Sequence, residues 1–74
     1  MQEIILRQRE IGKYVVKFIN AEYEKYKVGT HYWAYNVEVF DKERGRTTWR
    51  SYHEDKKAAQ RSYYYFCSKA KKAA

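Results

Sequence analysis

The chain has no proline, one cysteine, three scattered glycines and no long apolar run, and each shortage removes a class of explanation. With Cys67 alone, no intramolecular disulfide can staple the fold, and such cysteine usage fits a reducing compartment. Gly12, Gly29 and Gly45 stand apart, so they cannot assemble a phosphate-cradling loop of the G-x-x-x-x-G-K type. No apolar stretch approaches the length of a membrane span and no leader-like segment is read at the N-terminus, which sets the expectation of a cytoplasmic protein without membrane contact. His31, His53 and Cys67 form no C-x-x-C or H-x-x-x-H pair, so no metal and no cofactor are expected. His53 beside Glu54 and Asp55 is the nearest approach to an acid–base group, but acids at a helix start explain that run more simply, and no catalytic residue is assigned. Lacking proline, a low-complexity linker or an internal repeat, the 74 residues read as a single domain, 1–74, too small to enclose a catalytic cleft.

Acidic residues are also scarce: 9 against 16 Lys and Arg, a formal net charge of +7. That balance favours a polyanionic partner such as nucleic acid. What the chain has in excess is aromatic rings, 19% of residues with nine tyrosines, more than so small a core can hold. Some of them must face solvent or a partner.

Residues 31–41 alternate, with His31, Trp33, Tyr35, Val37 and Val39 on one parity and Tyr32, Ala34, Asn36, Glu38 and Phe40 on the other, which predicts a strand. A second strand, Thr47 to His53, follows a polar run containing Gly45. A three-residue loop Glu43-Arg44-Gly45, with Gly45 in the left-handed position, sets Lys42 opposite Arg46. In that register Val39 pairs with Trp49, Val37 with Ser51 and Tyr35 with His53 on the better core face. Phe40 with Thr48, Glu38 with Arg50 and Asn36 with Tyr52 lie on the other.

From Asp55 the period becomes helical: Ala59, Tyr63, Phe66 and Ala70 form an inward stripe with Cys67 beside them. Asp55 is the expected N-cap, in preference to a Ser51-x-x-Glu54 capping box that would truncate the strand, and Lys69, Lys71 and Lys72 suit the negative end of the helix dipole. Earlier, Met1 to Ile11 reads as a strand ended by Gly12. Lys13 to Asn20 reads as a strand too, although Ile11, Tyr14, Val15, Phe18 and Ile19, extended through Tyr23 and Tyr26, also satisfy helical spacing. Ala21 to Thr30 reads as a loop or as extensions of the flanking strands. The expected fold is α+β: a small antiparallel sheet of three or four strands packed on one C-terminal helix.

Two surfaces emerge. On the outer face of the hairpin, Asn36, Lys42, Arg44, Arg46, Arg50 and Tyr52 offer groups that contact phosphates or bases, set against the plainer expectation that Glu38 and Arg50 form a cross-strand ion pair. On the helix, Tyr64 and Tyr65 fall off the core stripe near Lys57 and Arg61, where they suit stacked bases, a second protomer of a homodimer or another protein.

Residues 33–63, from Trp-Ala-Tyr-Asn-Val-Glu-Val-Phe-Asp to Arg-Thr-Thr-Trp-Arg-Ser-Tyr and on through the Ala58-Ala59 helix start, resemble two families. These are the three-strand-plus-helix DNA-binding domains of plant ethylene-response factors and the N-terminal arm-binding domains of phage integrases. The resemblance implies strands entering a major groove with Arg46 and Arg50 in contact with DNA, and Trp49, Tyr52, Ala58 and Ala59 near family positions. The competing expectation is a small phage or mobile-element protein that inhibits a host protein, such as a nucleic-acid enzyme, through its spare aromatics.

Overall fold

The computed structural model describes residues 4–20, 26–28 and 31–73. β1 (Ile4–Ile11), β2 (Tyr14–Asn20), β5 (Tyr35–Asp41) and β6 (Arg46–His53) form one antiparallel sheet in the order β1-β2-β5-β6, and α1 (Lys56–Ala73) packs across one face of it. A separate short pair, β3 (Tyr26–Val28) and β4 (His31–Trp33), lies between β2 and β5 in the chain. The expected α+β architecture is therefore present.

The strand reading of Lys13 to Asn20 holds over Tyr14–Asn20, because alternation decides it: Tyr14, Val16 and Phe18 are buried beneath α1. Adjacent Val15 and Val16 fit the pleat better than a helix. β1 and β2 join through the two-residue connection Gly12–Lys13, with Gly12 in the left-handed region at φ 57°. The single strand expected over 31–41 is divided at Ala34, so β4 pairs with β3 and only Tyr35–Asp41 enters the main sheet. Residues 21–25 and 29–30 of the expected loop lie outside the described residues.

Between β5 and β6 the register of Tyr35 with His53, Asn36 with Tyr52, Val37 with Ser51, Glu38 with Arg50 and Val39 with Trp49 is as expected. Beyond Trp49 it is not. Phe40 pairs with Thr47 and Asp41 with Arg46, so Thr48 is an extra residue in a β-bulge and the loop has four residues, Lys42 to Gly45. A bulge sets two residues against one and so shifts the parity of everything beyond it. Gly45 does occupy the left-handed region, at φ 68°, and its N–H donates to the Asp41 carbonyl at 2.8 Å.

Asp55 caps α1 as its position implies: its Oδ2 accepts the Ala58 N–H at 3.0 Å and its carbonyl accepts the Ala59 N–H at 3.1 Å. β6 runs to His53, which rules out the earlier start at Ser51. The core is centred further from the hairpin than expected. Val16, Val37, Val39 and Ala59 are fully buried, Phe18 and Tyr63 nearly so, whereas Trp49 and Phe66 are half-buried and pack against the cluster from its side. The reason is strand order: α1 lies over β2 and β5, and β6 is an edge. No helix among the described residues is long and apolar enough to cross a membrane.

Candidate nucleic-acid interface

Strand alternation puts Lys17, Glu38, Phe40, Arg50 and Tyr52 on the face away from α1. There Glu38 is the hub. Its Oε2 accepts the Asn36 Nδ2–H at 2.8 Å and lies 3.2 Å from Arg50 Nη2, while Arg50 Nη1 donates to the Tyr52 hydroxyl at 3.3 Å. The cross-strand ion pair is present. Asn36 sits on the expected face but is fully buried, with its amide nitrogen turned to Glu38 and its Oδ1 unpartnered, so it is not presented to a ligand.

The bulge at Thr48 removes Arg46 from this face. Paired with Asp41, which continues the inward parity of Val37 and Val39, Arg46 projects to the side of α1, so Arg46 and Arg50 do not share a surface. Nothing in the run Arg46-Thr47-Thr48-Trp49 signals a bulge, and a regular ladder is the default.

Lys42 and Arg44 belong to the hairpin loop, which an aspartate organises. Asp41 is 2% exposed, and its Oδ1 accepts the N–H groups of Glu43 at 2.9 Å and Arg44 at 3.1 Å. Its Oδ2 lies 3.9 Å from Lys13 Nζ and 3.8 Å from Arg44 Nε. Lys13 also reaches Glu43 at 3.7 Å, Lys42 is joined to Glu10, and the Lys42 N–H donates to the Lys13 carbonyl at 2.8 Å. Each of these loop cations thus has a carboxylate near it. Sequence reasoning missed Asp41, although an Asp opening a glycine-containing loop is a known side-chain-to-backbone turn former.

The helix differs. From Lys56 to the C-terminus there are six cations and no acid, so this quarter of the chain holds +6 of the net +7. Lys57 and Arg61 are exposed on α1, as are Tyr64 at 49% and Tyr65 at 61%. None of Lys56, Lys57, Arg61, Lys71 and Lys72 forms an ion pair with a described carboxylate. Lys69 instead covers the Trp49 ring, 4.5 Å from its centroid.

On the opposite flank β1 adds two residues that sequence reasoning counted as basic but did not assign. Arg7 pairs with Phe18 and Arg9 with Val16, which sets both on the side of α1. Arg7 Nη1 donates to the Tyr64 hydroxyl at 3.2 Å. Their shared parity was readable; the face was not, because Leu6 is a bulge residue. Burial, and then the Cys67 thiol beside it, push the Tyr63 phenol up, partly opposed by Arg9 and Arg7.

At the other end of α1, Ser51 Oγ and His53 Nε2 lie 2.8 Å apart. Burial, and then the nearby Arg61 guanidinium, hold the His53 imidazole below its ordinary 6.5. Among the described residues no three metal-binding side chains cluster. Compared with family models, curated proteins and solved structures, the chain matches none.

Proposed function

We propose that this protein binds nucleic acid without catalysing a reaction, and that the contact surface is the exposed side of α1 with Arg7 and Arg9 of β1. The observation that carries the reading is the acid-free helix, whose cations meet no carboxylate among the described residues, while Lys42, Arg44 and Arg50 of the hairpin each lie near one. A cation already held by a carboxylate must be released before it can serve a phosphate, whereas an unpaired one exchanges only mobile counterions. The resemblance to ethylene-response factors and integrase arm-binding domains puts DNA on the outer sheet face instead. There Arg50 is bound to Glu38, so that face would start from a paired state.

The test is a salt titration of binding to short duplex and single-stranded DNA. Lys57→Ala/Arg61→Ala/Lys71→Ala should lower the slope of log K against log [salt] by about 2–3, from roughly 0.7–0.9 per lost contact. On the outer sheet face, Lys17→Ala/Arg50→Ala should change it by less than about 1. Absence of binding by the wild type at low salt rejects the reading; a larger loss in this second variant returns the surface to the outer sheet face.

A protein partner is the second reading. One observation favours it: Ile4, Ile5 and Leu6 are 36–49% exposed on β1, an edge of the main sheet. A second copy paired antiparallel at that edge about a two-fold axis centred on Gln8 would set Arg7 opposite Arg9, an unfavourable like-charge pair. A pull-down with and without nuclease separates the readings, since nucleic-acid bridges are lost on digestion and a stoichiometric protein complex is not.

A further inference from the structure

Two of the chain's aromatics are held in place by the fold yet open to solvent. Tyr64 packs edge-on to Tyr63 with centroids 5.6 Å apart, and Arg7 anchors its hydroxyl. Tyr65 leans on Phe66 at 5.5 Å. Both remain about half exposed or more, at 49% and 61%. An aromatic ring fixed this way loses little conformational freedom when a second ring stacks on it, which distinguishes it from a mobile surface tyrosine.

Their neighbours carry charge. Arg61 precedes Tyr64 and Tyr65 by three and four residues, so it shares their side of the helix; Lys57 lies one turn before it, and Lys71 and Lys72 lie two turns beyond the rings. Arg7 closes the β1 flank. Cations thus bracket the rings at both ends, and the helix supplies no carboxylate to repel a phosphate.

We propose that this surface takes single-stranded nucleic acid, with unpaired bases stacked on Tyr64 and Tyr65 and the phosphodiester chain running along Lys57, Arg61 and Lys71/Lys72. The inference rests on the nucleic-acid reading above and narrows it. A duplex buries its base faces against one another and would present sugar and phosphate to the two rings. An unpaired strand presents both of the things this surface answers, a π-face and a negative charge at short intervals.

The test is fluorescence anisotropy of the intact protein with four probes of equal length, about ten nucleotides: oligo-dT, oligo-U, a duplex, and an abasic deoxyribose-phosphate strand. Either single strand should bind on the order of tenfold more tightly than the abasic strand at matched salt, and more tightly than the duplex. Tyr64→Ser/Tyr65→Ser should remove that advantage while leaving the salt slope unchanged, because the rings make no phosphate contact. Tyr65→Ser alone keeps the anchored Tyr64 and should remove part of it, with an unchanged melting temperature showing that the fold survives. Equal binding of the abasic strand and oligo-dT, or a duplex bound at least as tightly as both single strands, overturns this inference and leaves general nucleic-acid binding standing. Failure of all four probes at low salt removes the broader reading with it.

Discussion

On the hairpin side of the molecule Arg50 lies 3.2 Å from Glu38 and Lys42 is joined to Glu10, whereas along α1 Lys56, Lys57, Arg61, Lys71 and Lys72 meet no described carboxylate. In sequence both regions interleave cations with aromatics, but the hairpin also carries Glu38, Asp41 and Glu43 where the helix carries no acid. Pairing across strands brings such acids to the cations. Antiparallel neighbours bring Glu38 opposite Arg50 and Lys17 beside it, while a helix with no acidic residue has nothing of its own at i+3 or i+4 to answer its lysines. Counting basic residues therefore measures how much charge a chain carries, and pairing decides where that charge remains available.

The largest expected effect tests whether placement matters at all. Phe18 is 2% exposed between the sheet and Tyr63, and Phe18→Ala should destabilise the domain by about 3–5 kcal/mol, enough to unfold a chain of this size. The unfolded variant keeps every cation. If the helix flank binds through its arrangement, affinity at moderate salt should fall with the fold, as followed by circular dichroism and anisotropy on the same sample. Undiminished binding by the unfolded chain would reduce both surfaces to a polycation and dissolve the comparison.

That test bears on how much the sequence could reveal. The strand pairing from Tyr35 to Val39, the left-handed Gly45, the Asp55 cap and the inward Ala59, Tyr63 and Ala70 all follow from local rules, in which each residue's role depends on neighbours a few positions away, although Cys67 and not Phe66 completes the buried stripe. The bulge at Thr48 does not, nor does the burial of Asp41, because both depend on which strand arrives opposite. One unforeseen residue moved Arg46 across the sheet. Strand order was equally hidden, and it makes β2 central and leaves Trp49 and Phe66 at the margin. For the candidate surface, Lys57, Arg61, Tyr64 and Tyr65 were readable from helical periodicity, whereas the contribution of Arg7 required knowing that β1 lies beside α1's tyrosine flank.

The next test makes the helix resemble the hairpin. Ser68→Glu puts a carboxylate three and four residues before Lys71 and Lys72, the favourable order for a helical ion pair. Stability should stay level or rise by about 0.2–0.5 kcal/mol per pair. Binding should weaken severalfold with a shallower salt slope. Opposite signs for the melting temperature and the affinity support the distinction between paired and unpaired cations; unchanged affinity would break it.

The converse change frees a cation on the sheet. Glu38→Gln leaves Asn36 an amide oxygen to bond but removes the charge that holds Arg50, which is 42% exposed, so the loss of stability should stay below about 1 kcal/mol. The salt slope should then steepen by less than about 1 as Arg50 becomes available. A gain in affinity as large as the helix substitutions lose would show that the outer face is an equal partner, with Glu38 its restraint.

The smallest expected effect is a titration that reports on Arg61. Burial, and then Arg61, hold the His53 imidazole below 6.5, so between that lowered value and 6.5 the unfolded chain binds more protons than the folded one. Stability should accordingly fall as pH drops from 6.5 through the lowered value and be indifferent to His53 above 6.5. Arg61→Gln removes the second cause and leaves burial, so the His53 value should rise toward 6.5 without reaching it. A phosphate seated on Arg61 should act in the same direction by offsetting the guanidinium charge. Proton NMR of the imidazole resonances, assigned with His53→Gln because the chain has a second histidine, His31, gives both shifts from one set of samples. If oligo-dT binds and leaves His53 where it was while Arg61→Gln moves it, the strand does not touch Arg61, and the contact on α1 must lie nearer its Lys71 and Lys72 end.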